Sequence, residues 1–259
     1  MLSQILQHLA DHPWKNSIQY FDTIDSTNTY AKKLAAEGAP AGTVILAGHQ
    51  TAGRGRLGRS FSSPENMGIY LSVILRPNCS PADIMHLTCV AGVAACQAIG
   101  RPEVGIKWTN DLVIGKRKLG GILTEISVNP LTQLVEWVVV GIGINCCQQT
   151  WQFPKEIRHM ACSLAMDRQD LPSLAARLID AMHQINQGLL TKKDEIMGLF
   201  RQKCVTVGSD ISVVRGENIR HGKAIAVDDD GGLVVEYPNG ITETVTSGEV
   251  SIRGMYGYV

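Results

Sequence analysis

The chain has 259 residues, and its 24 lysines and arginines balance 24 aspartates and glutamates, so its formal net charge is zero. Hydrophobic residues make up 44% and charged residues 19%, which is typical of a soluble globular protein. A chain of this length exceeds the usual domain size of about 100–150 residues, which predicts one large domain and one small one. The zero net charge excludes a whole-molecule field that would recruit a polyanion, although a local patch could still bind nucleic acid.

The seven cysteines are an odd count, and no two of them form a CxxC pair. This spacing indicates neither a disulfide framework nor a zinc site, and it favours reduced thiols in a cytoplasm. The N-terminal residues lack the basic and then apolar pattern of a signal peptide. No run of about 18 uninterrupted apolar residues follows, so we expect a cytoplasmic protein with no membrane partner.

Helical and strand-like patterns alternate in the first hundred residues. The stretch DSTNTYAKKLAAEG has a strong helix start, because Asp25, Ser26 or Thr27 can cap it and Gly38 can end it. Apolar runs of strand length lie on both sides of this helix. The predicted elements are a helix over 1–10, strands over 17–24, 42–50 and 67–75, and a buried helix over 81–100.

The second part of the chain begins with β patterns, returns to a helical pattern and ends in a region of different texture. Four strands and one helical region are predicted, over 104–108, 111–114, 118–128, 133–145 and 172–203. From Val205 onward, Asp-Gly and Asn-Gly turns divide short β runs, and eight acidic residues stand against four basic ones. We therefore expect two domains, over 1–204 and 205–259, of which the second is a small β-barrel.

The loop TAGRGRLGRS, residues 51–60, places three arginines and three glycines together. Glycines let backbone amides approach an anion, while guanidinium groups supply planar, permanently charged donors for carboxylate or phosphate. The loop is not a P-loop, because the Gly-Lys-Ser/Thr ending is missing, and no helix follows it as in a Rossmann fingerprint. A mobile, solvated surface loop is the alternative.

Three further motifs put polar side chains or bare glycines at predicted strand ends. In KWTNDL (107–112) a lysine, an amide and a carboxylate lie close together, and in KRKLGGILTE (116–125) a lysine lies beside a Gly-Gly step. In GIGIN (141–145), alternating glycines in a buried strand indicate that a flat ligand or another backbone needs the space. Each motif has a plainer alternative: a strand cap, an exposed basic turn, and a bulge with a turn.

One pair of ligands reconciles the four motifs. They offer two or three fixed cations, side-chain amides, the hydroxyls of Ser26 and Thr27, and bare glycine walls. A carboxylic acid that is joined to the α-phosphate of a nucleotide requires this combination, because cations must neutralise two anions and the transition state between them. Positioning and electrostatics suffice for such an adenylation, so no catalytic triad is needed.

The same motifs make the chain resemble the biotin protein ligases over nearly its whole length. Five motifs occur in the family's order: DSTN (25–28), GRGRLGR (53–59), KWTNDL (107–112), RKLGGILTE (117–125) and GIGIN (141–145). The resemblance implies an enzyme that joins biotin and ATP into biotinyl-5′-adenylate and then acylates one lysine of a biotin carboxyl carrier protein. It also implies an α+β catalytic domain akin to class II aminoacyl-tRNA synthetases, followed by an SH3-like β-barrel.

The resemblance assigns residues to biotin. Ser26, Thr27 and Gln50 would meet the ureido head of biotin and its surroundings, and Asn28 belongs to the same motif. Glycines would wall the pocket, and the arginine loop, residues 51–60, would fold over the adenylate. The remaining residues expected at biotin are Gly53, Arg54, Gly55, Arg56, Lys118, Gly121, Gly141 and Gly143.

The resemblance assigns catalysis to Arg56 and Lys118. Lys118, rather than Lys107, matches the lysine that contacts both the biotin carboxylate and the α-phosphate. Mg²⁺ would arrive on the phosphates of ATP, and no residue is assigned to hold a metal. The arginine loop would become ordered once the ligand arrives. The residues expected at the nucleotide are Arg56, Phe61, Asn110, Lys118 and Asn145.

Three features depart from the family pattern. Thr109 stands where proline is frequent, which would loosen that turn without removing Asn110. Phe61 stands where some relatives place tryptophan against adenine, and a phenyl ring still offers a smaller stacking face. Only twenty-four residues precede DSTN, too few for the winged helix-turn-helix of bifunctional members. We therefore expect a monofunctional ligase that does not bind DNA.

Two alternatives stay open at this stage. A lipoate or octanoyl ligase on a related fold would need a longer, more apolar tunnel, and the GRGR motif argues against it. A nucleic-acid-binding module would place the arginine loop on phosphate, which the neutral charge and the acidic tail disfavour. For the oligomeric state, the resemblance implies a homodimer.

Overall fold

Two β-sheets of different size organise the chain. The computed structural model describes residues 1–246 and, for the backbone alone, residues 250–254. The strands of the larger sheet are β1 (Ile18–Ile24), β2 (Val44–Gln50), β3 (Gly68–Leu75), β4 (Val104–Lys107), β5 (Asp111–Ile114), β6 (Arg117–Val128) and β7 (Val135–Asn145). Their order is β1-β2-β3-β7-β6-β5-β4, in which β1 and β2 pair in parallel and all other neighbours pair antiparallel.

Helices cover both faces of this sheet. They are α1 (Leu2–His8), α2 (Thr27–Ala36), α3 (Leu87–Ile99), α4 (Leu171–Gly188) and α5 (Lys193–Lys203). Helix α2 packs Ala31 and Ala35 against Ile45, Ile74 and Val139 of three neighbouring strands. The alternate residues of these strands belong to the main core with α3 and α4 on the other face. The strands β2 and β3 are therefore buried on both sides, whereas β1 and β6 are partly exposed.

The predicted helix start is confirmed at α2. Ser26 is the N-cap, and its hydroxyl accepts a hydrogen bond from the Thr29 backbone N–H at 3.4 Å. Gly38 has φ +92°, a conformation that glycine adopts without strain, and it follows the helix end as expected. The strands predicted in the first 145 residues are likewise present, with bounds that differ by a residue or two.

The helical pattern over 172–203 belongs to two helices and not to one. Helix α4 ends at Gly188, whose carbonyl accepts hydrogen bonds from the backbone N–H groups of Thr191 and Lys192. Glycine stabilises a helix interior poorly, and the turn lets α5 fold back against α3. Periodicity alone does not detect this break, because both helices bury one face in the same core.

The apolar segment Pro81–Ile99 is a core element. It consists of a 3₁₀ turn over Pro81–Ile84 and helix α3, and it is long and apolar enough to cross a membrane. However, 72% of it is buried inside the protein. It therefore serves as the central helix on which α4 and α5 pack.

The second sheet begins after the last helix. Its strands are β8 (Asp210–Arg215), β9 (Asn218–Val227), β10 (Leu233–Glu236), β11 (Thr242–Val245) and β12 (Val250–Gly254), in the antiparallel order β11-β10-β9-β8-β12. The predicted β tail is thus confirmed as a small five-stranded unit. Residues 247–249 and 255–259 of the predicted domain lie outside the described residues.

The turn between β9 and β10 anchors the small sheet to the large one. The indole N–H of Trp108 donates to the Gly231 carbonyl at 2.8 Å, and the Trp108 backbone N–H donates to Thr206 Oγ1 at 2.8 Å. An ion pair joins Arg201 of α5 to Asp229 in the same turn. The contact lies two residues before Asn110, so the small sheet supports the turn that leads into β5.

Candidate active site

One pocket collects most of the residues expected at a ligand. It lies between the start of α2, the arginine loop and strands β3, β6 and β7, and it encloses about 480 Å³ including space open to solvent. Its lining includes thirteen of the expected residues: Ser26, Thr27, Asn28, Gln50, Arg54, Gly55, Arg56, Phe61, Asn110, Lys118, Gly121, Gly141 and Gly143. Tyr70, Leu71, Ile122, Leu123 and Ile142 complete the lining.

The floor of the pocket is a chain of neutral hydrogen bonds at the start of α2. Gln50 Oε1 accepts from the Thr27 backbone N–H at 2.9 Å and from Thr27 Oγ1 at 3.1 Å. Ser72 Oγ lies 2.8 Å from Thr27 Oγ1 and donates to Asn28 Oδ1 at 2.6 Å. Thr27, Asn28 and Ser72 are buried. Because a buried polar group without a partner costs about 1–3 kcal/mol, this chain fixes the orientation of each side chain.

Two glycines of β7 make room for side chains that cross the sheet. A Cβ at Gly141 would overlap the Asn28 amide, and a Cβ at Gly143 would lie 2.6 Å from the Phe61 ring. The alternating glycines of GIGIN therefore allow an amide and an aromatic ring to approach the β7 backbone closely. Both side chains and both glycines line the pocket.

Backbone hydrogen bonds shape the arginine loop. The Gly55 N–H donates to the Arg59 carbonyl at 2.7 Å, and the Phe61 N–H donates to the Gly53 carbonyl at 2.9 Å. Gly53 is buried, and a Cβ there would overlap the Phe61 carbonyl oxygen. The tip carries Leu57, which is exposed and has φ +54°. The loop is thus a defined cover over the pocket.

Two cations converge from opposite elements. The Arg56 guanidinium donates to Asn110 Oδ1 at 3.0 Å, and burial lowers the pKa of Arg56 while the nearby Asp111 charge opposes that shift. Lys118 Nζ pairs with Asp111 Oδ1 at 2.6 Å. A Cβ at Gly121 would lie 3.4 Å from Lys118 Nζ, so the bare glycine backbone lies directly beside this ammonium group. The pocket therefore contains two positive groups that can bind an anion.

The turn that carries Asn110 is held at both ends. Asn110 Nδ2 donates to the Ile122 carbonyl at 3.2 Å, and the Ile122 N–H donates to the Asn110 carbonyl at 2.8 Å. Thr109 is buried, and its hydroxyl lies 3.3 Å from Cys89 Sγ. Asn110 is thus held in place with threonine at position 109, and the effect of Thr109 on the stiffness of the turn stays a prediction.

Glu125 joins the floor of the pocket to its cover. Its carboxylate accepts from Asn28 Nδ2 at 3.0 Å, pairs with Lys32 Nζ at 2.7 Å and pairs with Arg54 at 3.2 Å. Burial by itself raises the pKa of Glu125, but the hydrogen bonds from Lys32 and Asn28 and the charges of Lys32 and Arg54 outweigh burial, and the pKa is lowered. Glu125 is therefore ionised at neutral pH.

Two of the expected residues do not line this pocket. Gly53, in the first part of the arginine loop, lies against the Phe61 carbonyl. Asn145 is buried and uses its amide elsewhere: Nδ2 donates to the Cys162 carbonyl at 3.1 Å, and Oδ1 accepts from Gln148 at 3.3 Å. The roles of these two residues at the biotin and the nucleotide stay predictions.

Three polar residues beside the pocket were not assigned to it from the sequence. Ser72 is the one serine in the apolar strand GIYLSVIL, a signal that could have identified it. Asp111 was recognised only as the carboxylate of KWTNDL, and Glu125 only as the end of a motif. No sequence feature marks their partners, because the contacts join residues 7 positions apart for Asp111 and 71 to 97 apart for Glu125.

Among the described residues, one cluster has the composition of a metal site. Ligand atoms of His12, Asp180 and His183 lie within 4.8 Å of one another. However, His12 Nδ1 accepts the Trp14 backbone N–H at 3.1 Å, so the neutral ring carries its proton on Nε2, the atom that faces Asp180. A metal at Nε2 would require the proton on Nδ1, against the Trp14 N–H. The cluster therefore does not fit a metal ion.

Comparison with protein families gives two matches. The Biotin/lipoate A/B protein ligase family matches residues 20–145, which contain the arginine loop and all seven strands of the larger sheet except the first two residues of β1. The biotin protein ligase C-terminal domain matches residues 206–253, in the second sheet. Together they define a ligase with a separate C-terminal module.

Individual relatives narrow this class. The bifunctional ligase/repressor BirA of Bacillus subtilis is 34% identical over 229 residues, which cover 86% of this chain and 70% of BirA. The biotin–[acetyl-CoA-carboxylase] ligase of Mycobacterium tuberculosis is 32% identical over 237 residues, covering 87% and 85%. The solved structure of Aquifex aeolicus biotin protein ligase in complex with biotin and ATP has a TM-score of 0.70 and 27% identity, covering 92% of this chain and 98% of that one. The chain belongs to the biotin protein ligases.

This membership confirms the predicted fold class. The larger sheet with its helices is the α+β catalytic fold of biotin ligases, and the second sheet is the SH3-like module. The division of the chain at 204 and 205 stays a prediction.

Proposed function

We propose that this protein activates biotin with ATP to biotinyl-5′-AMP and then transfers the biotinyl group to a lysine of a biotin carboxyl carrier protein. One observation carries the proposal: Arg56 and Lys118 converge on a pocket whose floor holds neutral hydrogen-bonding groups. A neutral polar floor suits the ureido head of biotin, and two cations suit a carboxylate and a phosphate.

The floor would select the head of biotin. Ser72 lies behind the pocket and helps to hold Thr27, Asn28 and Gln50 in fixed positions. These three residues line the pocket, so they can meet a ureido group with little loss of side-chain entropy. The resemblance supports Ser26 in the same place, as the cap of α2. The named relatives are biotin enzymes, which favours biotin over lipoate.

Lys118 and Arg56 would promote the first step, the adenylation of biotin. A biotin carboxylate oxygen attacks the α-phosphorus of ATP, the bond from that phosphorus to the bridging oxygen breaks, and pyrophosphate leaves with the electron pair. Lys118 would exchange Asp111 for the substrate anions, and Arg56 would stay oriented by Asn110. Both charges stabilise the pentavalent transition state, because they are already in place when negative charge develops.

The nucleotide would lie towards Phe61 and Asn110, whose ring and amide line the pocket. Among the described residues of the lining, none carries a carboxylate. Mg²⁺ would therefore be bound by the phosphates of ATP as part of the substrate, and not by ligands of the protein.

The second step would use the same pocket. The neutral amine of a carrier lysine attacks the acyl carbon, AMP leaves with its phosphate oxygen, and the amine loses a proton. The relatives are named for acetyl-CoA carboxylase, which supports the carrier domain of such a carboxylase as the partner. For the rest of its biology we propose a cytoplasmic homodimer, with neither DNA nor a membrane as partner, and the zero net charge supports the first of these exclusions.

The test is complete transfer. The protein is incubated with biotin, ATP, Mg²⁺ and a purified carrier domain, and the intact mass of the carrier is measured. We expect one biotinyl group per carrier, lost when ATP is omitted and lost on a carrier whose acceptor lysine is replaced by arginine. A carrier that stays unmodified with biotin, but gains a lipoyl group when lipoate replaces biotin, would assign the protein to lipoate chemistry.

A further inference from the structure

We infer that Glu125 is a positioning residue of the ligase reaction, because its carboxylate holds the arginine loop to the floor of the pocket. The inference rests on the proposed function and adds a residue to it. Glu125 does not line the pocket. It lies behind Asn28 and Arg54, which both do, and its side chain is only 19% exposed.

The contacts of Glu125 come from two separate elements. Asn28 Nδ2 and Lys32 Nζ reach it from α2 at 3.0 and 2.7 Å, and Arg54 reaches it from the arginine loop at 3.2 Å. The Asn28 amide is fixed from its other end by Ser72. Arg54 is therefore tied to a rigid group of the floor and not to a mobile surface carboxylate.

Backbone hydrogen bonds from Thr51 and Ala52 hold the start of the arginine loop, and two arginine side chains bind it to the pocket. On one side Arg56 donates to Asn110, and on the other side Arg54 pairs with Glu125. The Arg56 contact depends on the loop lying at the right height over the pocket, because one guanidinium and one amide oxygen must come within 3.0 Å. Loss of the Glu125 charge frees one side of the cover and shifts the cation on the other side.

The charges at Glu125 also fit an incoming anion. The Glu125 carboxylate pairs with two cations, Lys32 and Arg54. These three side chains together therefore keep one net positive charge beside the pocket. A neutral side chain in place of Glu125 would add attraction for an anion and would remove the fixed position of Arg54. A positioning role therefore predicts lower activity in spite of the more positive charge beside the pocket.

The test is a double-mutant cycle with Glu125→Gln and Arg54→Ala. Glutamine keeps an oxygen that accepts from Asn28, but its neutral amide cannot form the ion pairs. The readout is biotin-dependent exchange of pyrophosphate into ATP, measured as kcat and KM for biotin and for ATP. The control is Glu136→Gln on the exposed face of β7, where the carboxylate bonds only to Ser127 and Asn129 among the described residues.

We expect Glu125→Gln to lower kcat/KM for biotin roughly tenfold, the loss typical of one charge-assisted hydrogen bond, and Glu136→Gln to keep the wild-type value. In protein that already carries Arg54→Ala, Glu125→Gln should cause at most a twofold further loss. Full additivity of the two losses, or a Glu125→Gln protein as active as wild type, would overturn the inference. A wild type without biotin-dependent exchange would instead overturn the proposed function on which it rests.

Discussion

The floor and the cover of the pocket are built on different physical principles. The floor consists of neutral side chains on α2, β2 and β3, which hydrogen-bond to one another in a buried chain. The cover is the arginine loop, whose Arg54 and Arg56 bind to Glu125 and Asn110 outside the loop. A buried neutral network is rigid, whereas an exposed or half-buried charge can change partners at little cost. The comparison teaches that one part of the pocket, the floor, selects biotin, and that another part, the cover, supplies charge for the adenylation step.

The cations of the pocket are partnered in a way that fits this division. Lys118 pairs with Asp111 and Arg54 pairs with Glu125, and neither carboxylate lines the pocket. A substrate anion can therefore replace Asp111 on the pocket side of Lys118, while Glu125 keeps Arg54 in place. Substitutions in the cover should change rates and affinities for anions, while substitutions in the floor should change stability and the selection of biotin.

The largest effect is expected at Lys118. Lys118→Ala removes the cation beside Gly121, and with it the ion pair to the Asp111 carboxylate near the substrates. We predict a loss of about 10²–10³-fold in biotin-dependent ATP–pyrophosphate exchange. Lys116→Ala, at an exposed lysine two residues earlier, should keep the wild-type rate. Equal rates for the two variants would contradict the role of Lys118.

Arg56 provides the second test of the cover. Arg56→Ala removes a half-buried guanidinium and its hydrogen bond to Asn110. We predict that KM for ATP rises about 10–100-fold, the range that one charged hydrogen bond of about 1.5–3 kcal/mol supports. The matched control is Arg59→Ala, at an exposed arginine of the same loop. An unchanged KM for ATP would break the comparison, because the cover would then supply no charge to the nucleotide.

Gly141 tests the floor. Gly141→Ala places a methyl group on the Asn28 amide, which must move and give up its contacts with Ser72 and Glu125. We predict about 1–3 kcal/mol of destabilisation in denaturant unfolding, together with weaker biotin binding in calorimetry. Gly198→Ala, in helix α5 with open space around it, should be neutral or slightly stabilising. Biotin binding at wild-type strength in Gly141→Ala would contradict the assignment of Asn28 to the part of the pocket that binds biotin.

The smallest effect is expected from a change in pH. None of the described residues that line the pocket is a histidine, so we expect pH to change stability and not biotin binding. His86 is fully buried in the core, and burial lowers its pKa below the usual value of about 6.5, although its contact with the Leu189 carbonyl opposes the shift. The unfolded chain then binds a proton that the folded chain does not, so stability falls as the pH drops below about 6.5.

We therefore predict a melting temperature that decreases modestly between pH 7.5 and pH 5.5, while the affinity for biotin stays constant over the part of that range where the protein is folded. His86→Gln should weaken the dependence of the melting temperature on pH. His159→Gln, at an exposed position, should leave that dependence unchanged. A biotin affinity that follows the same titration would show that a histidine acts on the pocket.

Much of the floor and cover could be predicted from the sequence, because their motifs lie at strand ends and helix starts. Ser26 caps α2 as its position in DSTN indicates, and Gly121 and Gly141 lie on adjacent strands of one sheet. Neighbouring strand ends bring such residues to one place without further information. The arginine loop was recognisable because charge and glycine rarely concentrate together in a neutral chain.

The rest depends on tertiary packing that no local pattern records. Glu125 was not assigned to the site, because its partners lie on α2 and the arginine loop, far away in the chain. Asn145 was expected at the nucleotide, yet its amide holds the segment around Cys162, which reaches it only after the chain has folded back. The break between α4 and α5 at Gly188 likewise follows from packing on α3 and not from periodicity.

The most direct measurement of the central claim is exchange of labelled pyrophosphate into ATP by the purified wild-type protein, with biotin or with lipoate as the acid. A neutral floor that selects biotin under a cationic cover predicts exchange with biotin and none above background with lipoate. Exchange with lipoate, or no exchange with either acid, would contradict the account of this pocket as a site for biotin adenylation.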